Sequence, residues 1–249
     1  MRWLLTVFIL LWPAQAAAQP RIVTDLSQRS VEIAYSFDGV EILLFGAIQG
    51  LPAGTRPDIA VVLRGPDEPV TVRFKERVAG VWMNTQAVRF QTAPSYYAIA
   101  STRPIADMAS ERWRAVHELG VQSLHFSPAT GGDQSAAMLS QFRDGFVDLR
   151  TRLGLFAQGE GSVELMDAAL FRSRFVLPAR VPVGTYAADV YLFANREVVA
   201  QASVPLTVSK TGFERRVYET AQSSPVLYGL TAVLIALAAG WLAGVAFRR

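Results

Sequence analysis

The chain has 249 residues, with 24 Lys+Arg against 21 Asp+Glu and a formal charge of +3. Its pI of about 9.4 would suit a nucleic-acid binder, but Arg2, Arg248 and Arg249 flank the two terminal apolar runs, and without them 21 groups of each sign remain. A neutral remainder excludes a globally basic nucleic-acid binder, and a mean hydropathy of +0.24 is too low for a multi-span membrane protein.

The chain opens on Arg2, a short positive region, followed by an apolar stretch from Trp3 to Trp12. That stretch is shorter than the roughly 20 residues of a membrane span. Pro13 breaks it, and Ala16, Ala17 and Ala18 supply small residues for cleavage. The pattern predicts a secretory signal peptide over 1–18, cut before Gln19. The sequence contains no cysteine. This excludes a lipoprotein anchor, thiol catalysis, thiolate metal sites and C-x-x-C-H haem attachment. An exported domain of about 190 residues buries enough core without disulfides.

From Arg21 to Thr102 the texture is β. Ser30 to Tyr35 alternates with period two. Glu41 to Ile48 (EILLFGAI) is nearly all apolar, the pattern of a strand buried on both faces. Asp58 to Arg64 lies between Pro57 and Gly65-Pro66, a strand between turn signals. Pro69 to Val78 alternates, and Val81 to Asn84, Ala87 to Gln91 and Tyr96 to Ala100 follow as short strands. Such close spacing suits a sandwich or barrel.

The texture turns helical at Pro104. Ile105, Met108, Ala109, Trp113 and Val116 predict one helix, capped by Ser101 or Thr102 and stopped at Gly120. A second helix is expected after Gly131-Gly132, with Asp133 as its cap. Leu139, Phe142, Phe146, Leu149 and Leu153 form its apolar stripe, and Asp148 and Arg152 an i,i+4 pair. Strands return from Ser162: Leu170 to Leu177, then Ala187 to Phe193 in a hairpin with Glu197 to Val208. Tyr186 enters that hairpin through Pro-x-Gly-x-Tyr, the pattern of a tyrosine corner in an immunoglobulin-like sandwich. The expected fold is mainly β: one immunoglobulin-like β-sandwich over 19–210, interrupted by a helical pair at 103–157. Two small β domains flanking that pair are the alternative.

Residues 211–224 read as a juxtamembrane linker. Val226 to Phe247 carries no charge, enough for a helix of about 33 Å. A transmembrane helix is predicted over 225–247, with Tyr228 and Trp241 toward the interfaces. Arg248 and Arg249 form a cytoplasmic tail by the positive-inside rule. The chain is thus expected in the inner membrane as a single-pass protein with a periplasmic domain. Ala232, Ala236, Gly240 and Gly244 recur every fourth position, a stripe that admits a second helix. A membrane-protein partner or a homo-oligomer through this helix is expected.

The segments FGA (Phe45 to Ala47), VRFKERVAGVWMN (Val72 to Asn84), PSYYAIASTRP (Pro94 to Pro104) and YGL…GW (Tyr228 to Trp241) resemble the alphaproteobacterial putative transmembrane protein family. The resemblance covers nearly the whole chain. It implies a signal peptide, an exported domain and one C-terminal span, in the company of sulfite-exporter-like permeases. The family has no assigned activity, so no site residue carries over.

Arg73, Lys75 and Arg77 lie at i, i+2, i+4 of one strand and share a face. They form either an anion- or partner-binding ridge or a solvated, aggregation-guarding strand face. Arg89 and Arg103 extend the ridge if their strands neighbour it. Trp82, Tyr96 and Tyr97 form either a ligand wall near it or ordinary packing. His117 and His125 are the only histidines, and with Glu111 and Glu118 nearby their spacing matches no ligand motif. No G-x-S-x-G, Walker or dinucleotide fingerprint occurs, and Gly161-Ser162 precedes a strand. No catalytic residue, metal or cofactor is assigned. The leading expectation is a non-enzymatic, membrane-anchored periplasmic interaction or scaffold protein. The second is an anion- or ligand-binding accessory subunit of a sulfite-exporter-like transporter, favoured by a pocket lined by Arg73, Lys75 and Arg77. The third is an envelope hydrolase.

Overall fold

A computed structural model describes residues 19–246 apart from 35–36, 53, 130–134, 168, 211–220 and 222. The expected signal peptide, most of the linker, Asp133 and the 248–249 tail lie outside the described residues. The fold is mainly β. Its strands are β1 (Arg21–Leu26), β2 (Ser30–Ile33), β3 (Gly39–Gln49), β4 (Asp58–Arg64), β5 (Asp67–Val78), β6 (Val81–Pro94), β7 (Tyr97–Ser101), β8 (Ser127–Pro128), β9 (Phe156–Glu160), β10 (Glu164–Met166), β11 (Leu170–Pro178), β12 (Gly184–Ala194) and β13 (Glu197–Lys210). The helices are α1 (Ile105–Met108), α2 (Glu111–Val116), α3 (Ala136–Arg152) and α4 (Pro225–Ala246).

Two sheets enclose one apolar core. The first runs β1-β3-β11-β10 and the second β2-β13-β12-β4-β7-β9. Early and late strands meet in both: β3 pairs with β11 and β4 with β12, each antiparallel. Ile42 and Leu44 of one sheet and Val61, Leu63, Val190 and Leu206 of the other belong to the same buried cluster. The chain from β1 to β2 changes sheet, and β2 pairs parallel with the end of β13. Tyr186 is fully buried, and its hydroxyl donates to the Pro182 carbonyl at 2.6 Å, fastening the entry to β12.

A third sheet, β5-β6-β8, grows out of the second. The β4–β7 ladder does not stop at its end. Gly65 N–H donates to Tyr96 O at 2.8 Å and Ser95 N–H to Pro66 O at 3.0 Å. Asp67 then faces Pro94 in the same register in which Arg64 faces Tyr97. Gly65 is what lets the ribbon pass this point. A Cβ there would lie 2.7 Å from Ser95 Oγ and 2.9 Å from Tyr186 Cε1.

The structure corrects several local expectations. Val81 to Asn84 and Ala87 to Gln91 are one strand, because the ribbon pairs them continuously with β5. The helix expected over 105–116 is two short ones. Ala109 is extended between them, and Ser110 caps α2 by accepting from Trp113 N–H. Ser135 rather than Asp133 caps α3, accepting from Met138 N–H. Its stripe is narrower than predicted: Phe142 and Phe146 are buried, but Leu149 and Leu153 are exposed. The Asp148–Arg152 pair forms at 2.7 Å on the exposed side. In β3 only alternate residues (Ile42, Leu44, Ile48) are buried, while Phe45 is 43% exposed. Among the described residues the outer face of the first sheet has no covering layer there, so a nearly continuous apolar run serves a strand buried on one side.

α4 has 22 residues and no charge. Its described side chains are exposed, Leu234, Ile235, Leu237 and Trp241 each by more than 60%. Among the described residues no helix is long and apolar enough to cross a membrane. Of the helix expected at 225–247, Pro225–Ala246 is present, and the crossing is not found among the described residues.

Candidate functional site

The β5–β6 hairpin carries the predicted basic ridge. Its turn is Val78-Ala79-Gly80-Val81, with Ala79 at φ 50° and Gly80 at φ 87°. Two positive φ values in a two-residue loop make the primed turn whose twist matches the flanking strands. Strand alternation then sorts the side chains. Val72 and Phe74 of β5, with Val88 and Phe90 of β6, face α3, where Met138, Leu139 and Phe142 meet them. The Phe74 and Phe142 rings lie edge to face at 4.9 Å.

The opposite face holds Arg73, Lys75 and Arg77. Across the strands Thr71 faces Arg89, Lys75 faces Asn84 and Arg77 faces Trp82. Directly opposed residues share a face, so Arg89 joins the ridge and Trp82 ends it. All four cations are exposed. Among the described residues none of them pairs with a carboxylate; Arg77 Nε donates to the Gly80 carbonyl at 3.2 Å. The ridge is an open strand face rather than a pocket. Arg103 does not extend it: it forms a bidentate pair with Asp58 at 2.7 and 2.6 Å.

The expected aromatic cluster does not form. Trp82 is 68% exposed at the hairpin tip, while Tyr96 and Tyr97 are buried at its root. At ~3.3 Å per strand residue the two ends are on the order of 40 Å apart. Val78, Val81 and Met83 are exposed beside Trp82.

A second site brings together the two histidines and Glu118, whose spacing in the sequence matches no ligand motif. A cavity of about 610 Å³ opens between the second sheet and the α2 segment. Arg64, His117, Glu118, His125, Asp189 and Tyr191 are among its walls. Glu118 sits at φ 50°, a strained conformation for a non-glycine residue. It is held from several sides. Its carboxylate pairs with Arg64 and accepts from His125 N–H at 2.9 Å, with His125 Nδ1 at 3.2 Å. Its carbonyl accepts from the Tyr97 hydroxyl at 2.7 Å, and that hydroxyl accepts from Gly120 N–H at 2.8 Å. His117 stacks on Trp113 at 4.9 Å and tilts against Tyr191 at 5.1 Å. Burial pushes the Tyr97 phenol far up, and the Tyr191 phenol up to about 12 with Asp189 adding to the effect. Both phenols are thus neutral hydrogen-bonding groups. The cleft concentrates both histidines, but Arg64 is already neutralised by Glu118 and by Asp67 at 3.0 Å. Among the described residues no three His, Asp or Glu side chains converge to hold a metal. Tyr97, expected in a ligand wall with Trp82, lines this cleft instead, while Arg64, Asp189 and Tyr191, from two strands far apart in the chain, carried no signal in the sequence.

On α4, Ala232, Ala236, Gly240 and Gly244 are exposed, and a Cβ at either glycine would meet nothing within 4 Å.

A family model described as a putative transmembrane protein matches residues 21–249. No curated protein matches the chain. A crystal structure of Spo0M, a sporulation control protein from Bacillus subtilis, is similar at 11% identity over 82% of this chain and 55% of that one, with a TM-score of 0.30. The chain spans about half the length of that structure, and at this score the likeness carries no argument.

Proposed function

The chain belongs to the putative transmembrane protein family, and on that premise we infer that it is a membrane-anchored, non-enzymatic interaction module. The observation that carries this reading is the exposed apolar surface of α4, with Leu230, Leu234, Leu237 and Trp241 all open. Such a surface is unfavourable in water at roughly 25 cal/mol per Å² and requires lipid or another helix. The helix supplies a single-pass anchor in the inner membrane, with its C-terminal end cytoplasmic and the β domain in the periplasm. The domain is a rigid sandwich of the immunoglobulin-like kind. The sheet change between β1 and β2 and the Tyr186–Pro182 bond support that reading.

The small-residue face of α4 is the partner contact. Purification of the full chain from membranes under native expression, followed by identification of co-purifying proteins, tests the module. Recovery of the protein alone overturns it. Gly240→Leu with Gly244→Leu is expected to abolish association through the helix, and an unchanged complex overturns the assigned face.

A second reading has one observation in its favour. The cavity walled by Arg64, His117 and His125 suits a small-anion or ligand site, as in an accessory subunit of a sulfite-exporter-like transporter. The basic ridge does not support it, since those three cations line an open face. Calorimetric titration of the full chain in detergent with inorganic sulfite tests it: an Arg64-dependent heat supports the reading, and no heat removes it.

A further inference from the structure

We propose that the β5–β6 hairpin is a second membrane contact, whose apolar tip enters the interface of an anionic bilayer while its basic face holds the lipid headgroups. The proposal rests on the anchored reading above and adds to it a fixed orientation of the domain.

The chemistry of the arm points to this occupant. Between Thr71 and Arg89 the arm carries Arg73, Lys75, Arg77 and Arg89 against a single acid, Glu76. Glu76 opposes Met83 on the other face. The four cations are exposed and unpaired by carboxylates among the described residues. Beyond them the tip presents Val78, Val81, Trp82 and Met83, exposed by 46, 62, 68 and 52%. A soluble tip would carry polar residues at such positions. An indole beside arginine, next to aliphatic side chains, is the composition of an interfacial anchor. Strand cations within a few ångströms of an anionic surface add attraction of the right sign. From Lys75 to Val78 the arm runs clear of α3, a reach of about 13 Å. That exceeds the roughly 5–10 Å over which interfacial segments bury their apolar face.

The topology places the arm correctly. β4 and β13 both run antiparallel to β12, so both head toward the same end of the second sheet. The arm continues β4 beyond that end. The chain toward α4 leaves β13 at the same end, past Lys210. Contact across this end is direct: Val208 faces Gly184, and a Cβ on Gly184 would fall 2.7 Å from Pro66 at the arm's root. A tether and an amphipathic arm that leave one end of a domain face one surface.

The test uses the full chain reconstituted in vesicles. Because the sequence contains no cysteine, Val81→Cys gives one site for a nitroxide label, and Val199→Cys gives a control at the far end of β13. Vesicles of phosphatidylcholine are compared with vesicles that also contain phosphatidylglycerol. Flotation is measured first, then accessibility of the label to oxygen and to a water-soluble relaxant. The expected result is flotation in both lipids, with the label at 81 entering the bilayer interface only in the anionic vesicles. The label at 199 stays in water. Arg73→Glu with Lys75→Glu and Arg77→Glu should return the 81 label to water, with an unchanged circular dichroism spectrum.

A chain that floats while the 81 label stays in water in both lipids overturns the hairpin proposal and leaves the anchor standing. Equal lipid exposure in both compositions overturns the role of the cations. A label immobilised by an added membrane-protein fraction, with no lipid exposure, assigns the tip to a protein partner and overturns the proposal. A chain that does not float in either lipid overturns the anchored reading and this one with it.

Discussion

One ladder, two environments: the ribbon formed by β4–β5 and β6–β7 keeps a single register across Gly65, yet its halves have opposite fates. In the root, Ile59, Val61 and Leu63 are at most 1% exposed, and Tyr97 is fully buried. In the arm, every residue from Lys75 to Ala87 is exposed. The pairing itself differs little: the root ladder is regular, while the arm is bulged between Glu68 and Val70 and between Phe74 and Lys75. What separates them is the second layer. The root is covered by the first sheet, the lower arm mainly by α3 and Phe126, and the tip by nothing among the described residues. Stability is therefore expected to fall along the ribbon as apolar cover falls, with the two bulges of the arm adding to the trend.

The largest expected effect comes from the root. Leu63→Ala should cost about 2–5 kcal/mol, read as a lowered denaturant midpoint of the full chain in detergent. Trp82→Ala, a larger truncation, should stay within about 0.5 kcal/mol. Comparable losses at the two sites would break the contrast. Gly65→Ala tests the passage between the halves. Its new methyl meets Ser95 and the Tyr186 ring, and overpacking of this kind costs about 1–3 kcal/mol. Amide exchange should accelerate on both sides of residue 65; acceleration confined to the arm would show that the halves do not communicate.

Alkali separates the halves by chemistry. Burial raises the phenols of Tyr96, Tyr97 and Tyr186 around the root, and Tyr191 to about 12. A group whose folded pKa exceeds its unfolded value contributes stability that is complete below the unfolded pKa, near 10. That contribution is lost as pH rises through the raised values. The denaturant midpoint should thus be insensitive to these phenols below pH 10 and fall above it. The phenolate absorbance of these four, among the seven tyrosines of the sequence, should appear together with unfolding, and ionisation of all seven without unfolding would contradict the burial. The smallest effect is at the turn. Ala79→Asn places the preferred Asn-Gly pair at two positive-φ positions. It should slow exchange near the tip by a few-fold, roughly 0.5 kcal/mol, with no change in the global midpoint.

Much of this fold was legible because strands announce themselves locally. β4 was read at its observed bounds from Pro57 and Gly65-Pro66, and the β12–β13 hairpin from its alternation and its turn. The failures share a cause. EILLFGAI reads as buried on both faces, since a sequence records the hydrophobicity of a strand and not the layer that covers it. Helix α3 loses Leu149 and Leu153 from its stripe because it packs on a narrow ribbon rather than a broad sheet. The basic face was legible from period two alone. Its extension to Arg89, and the exclusion of Arg103, required cross-strand register. In the cleft His117, Glu118 and His125 are near one another in the sequence, whereas Arg64 and Asp189 join them only through the pairing of β4 with β12.

The place where the chain leaves the domain has a mechanical meaning. β13 is held along its final residues by antiparallel β12 on one side and parallel β2 on the other. Its backbone bonds lie across the strand direction. A pull on Lys210 along the strand therefore loads both rows sideways and together, in shear, instead of peeling them one by one. A domain tethered through β13 resists drag from its anchor point as a clamp does.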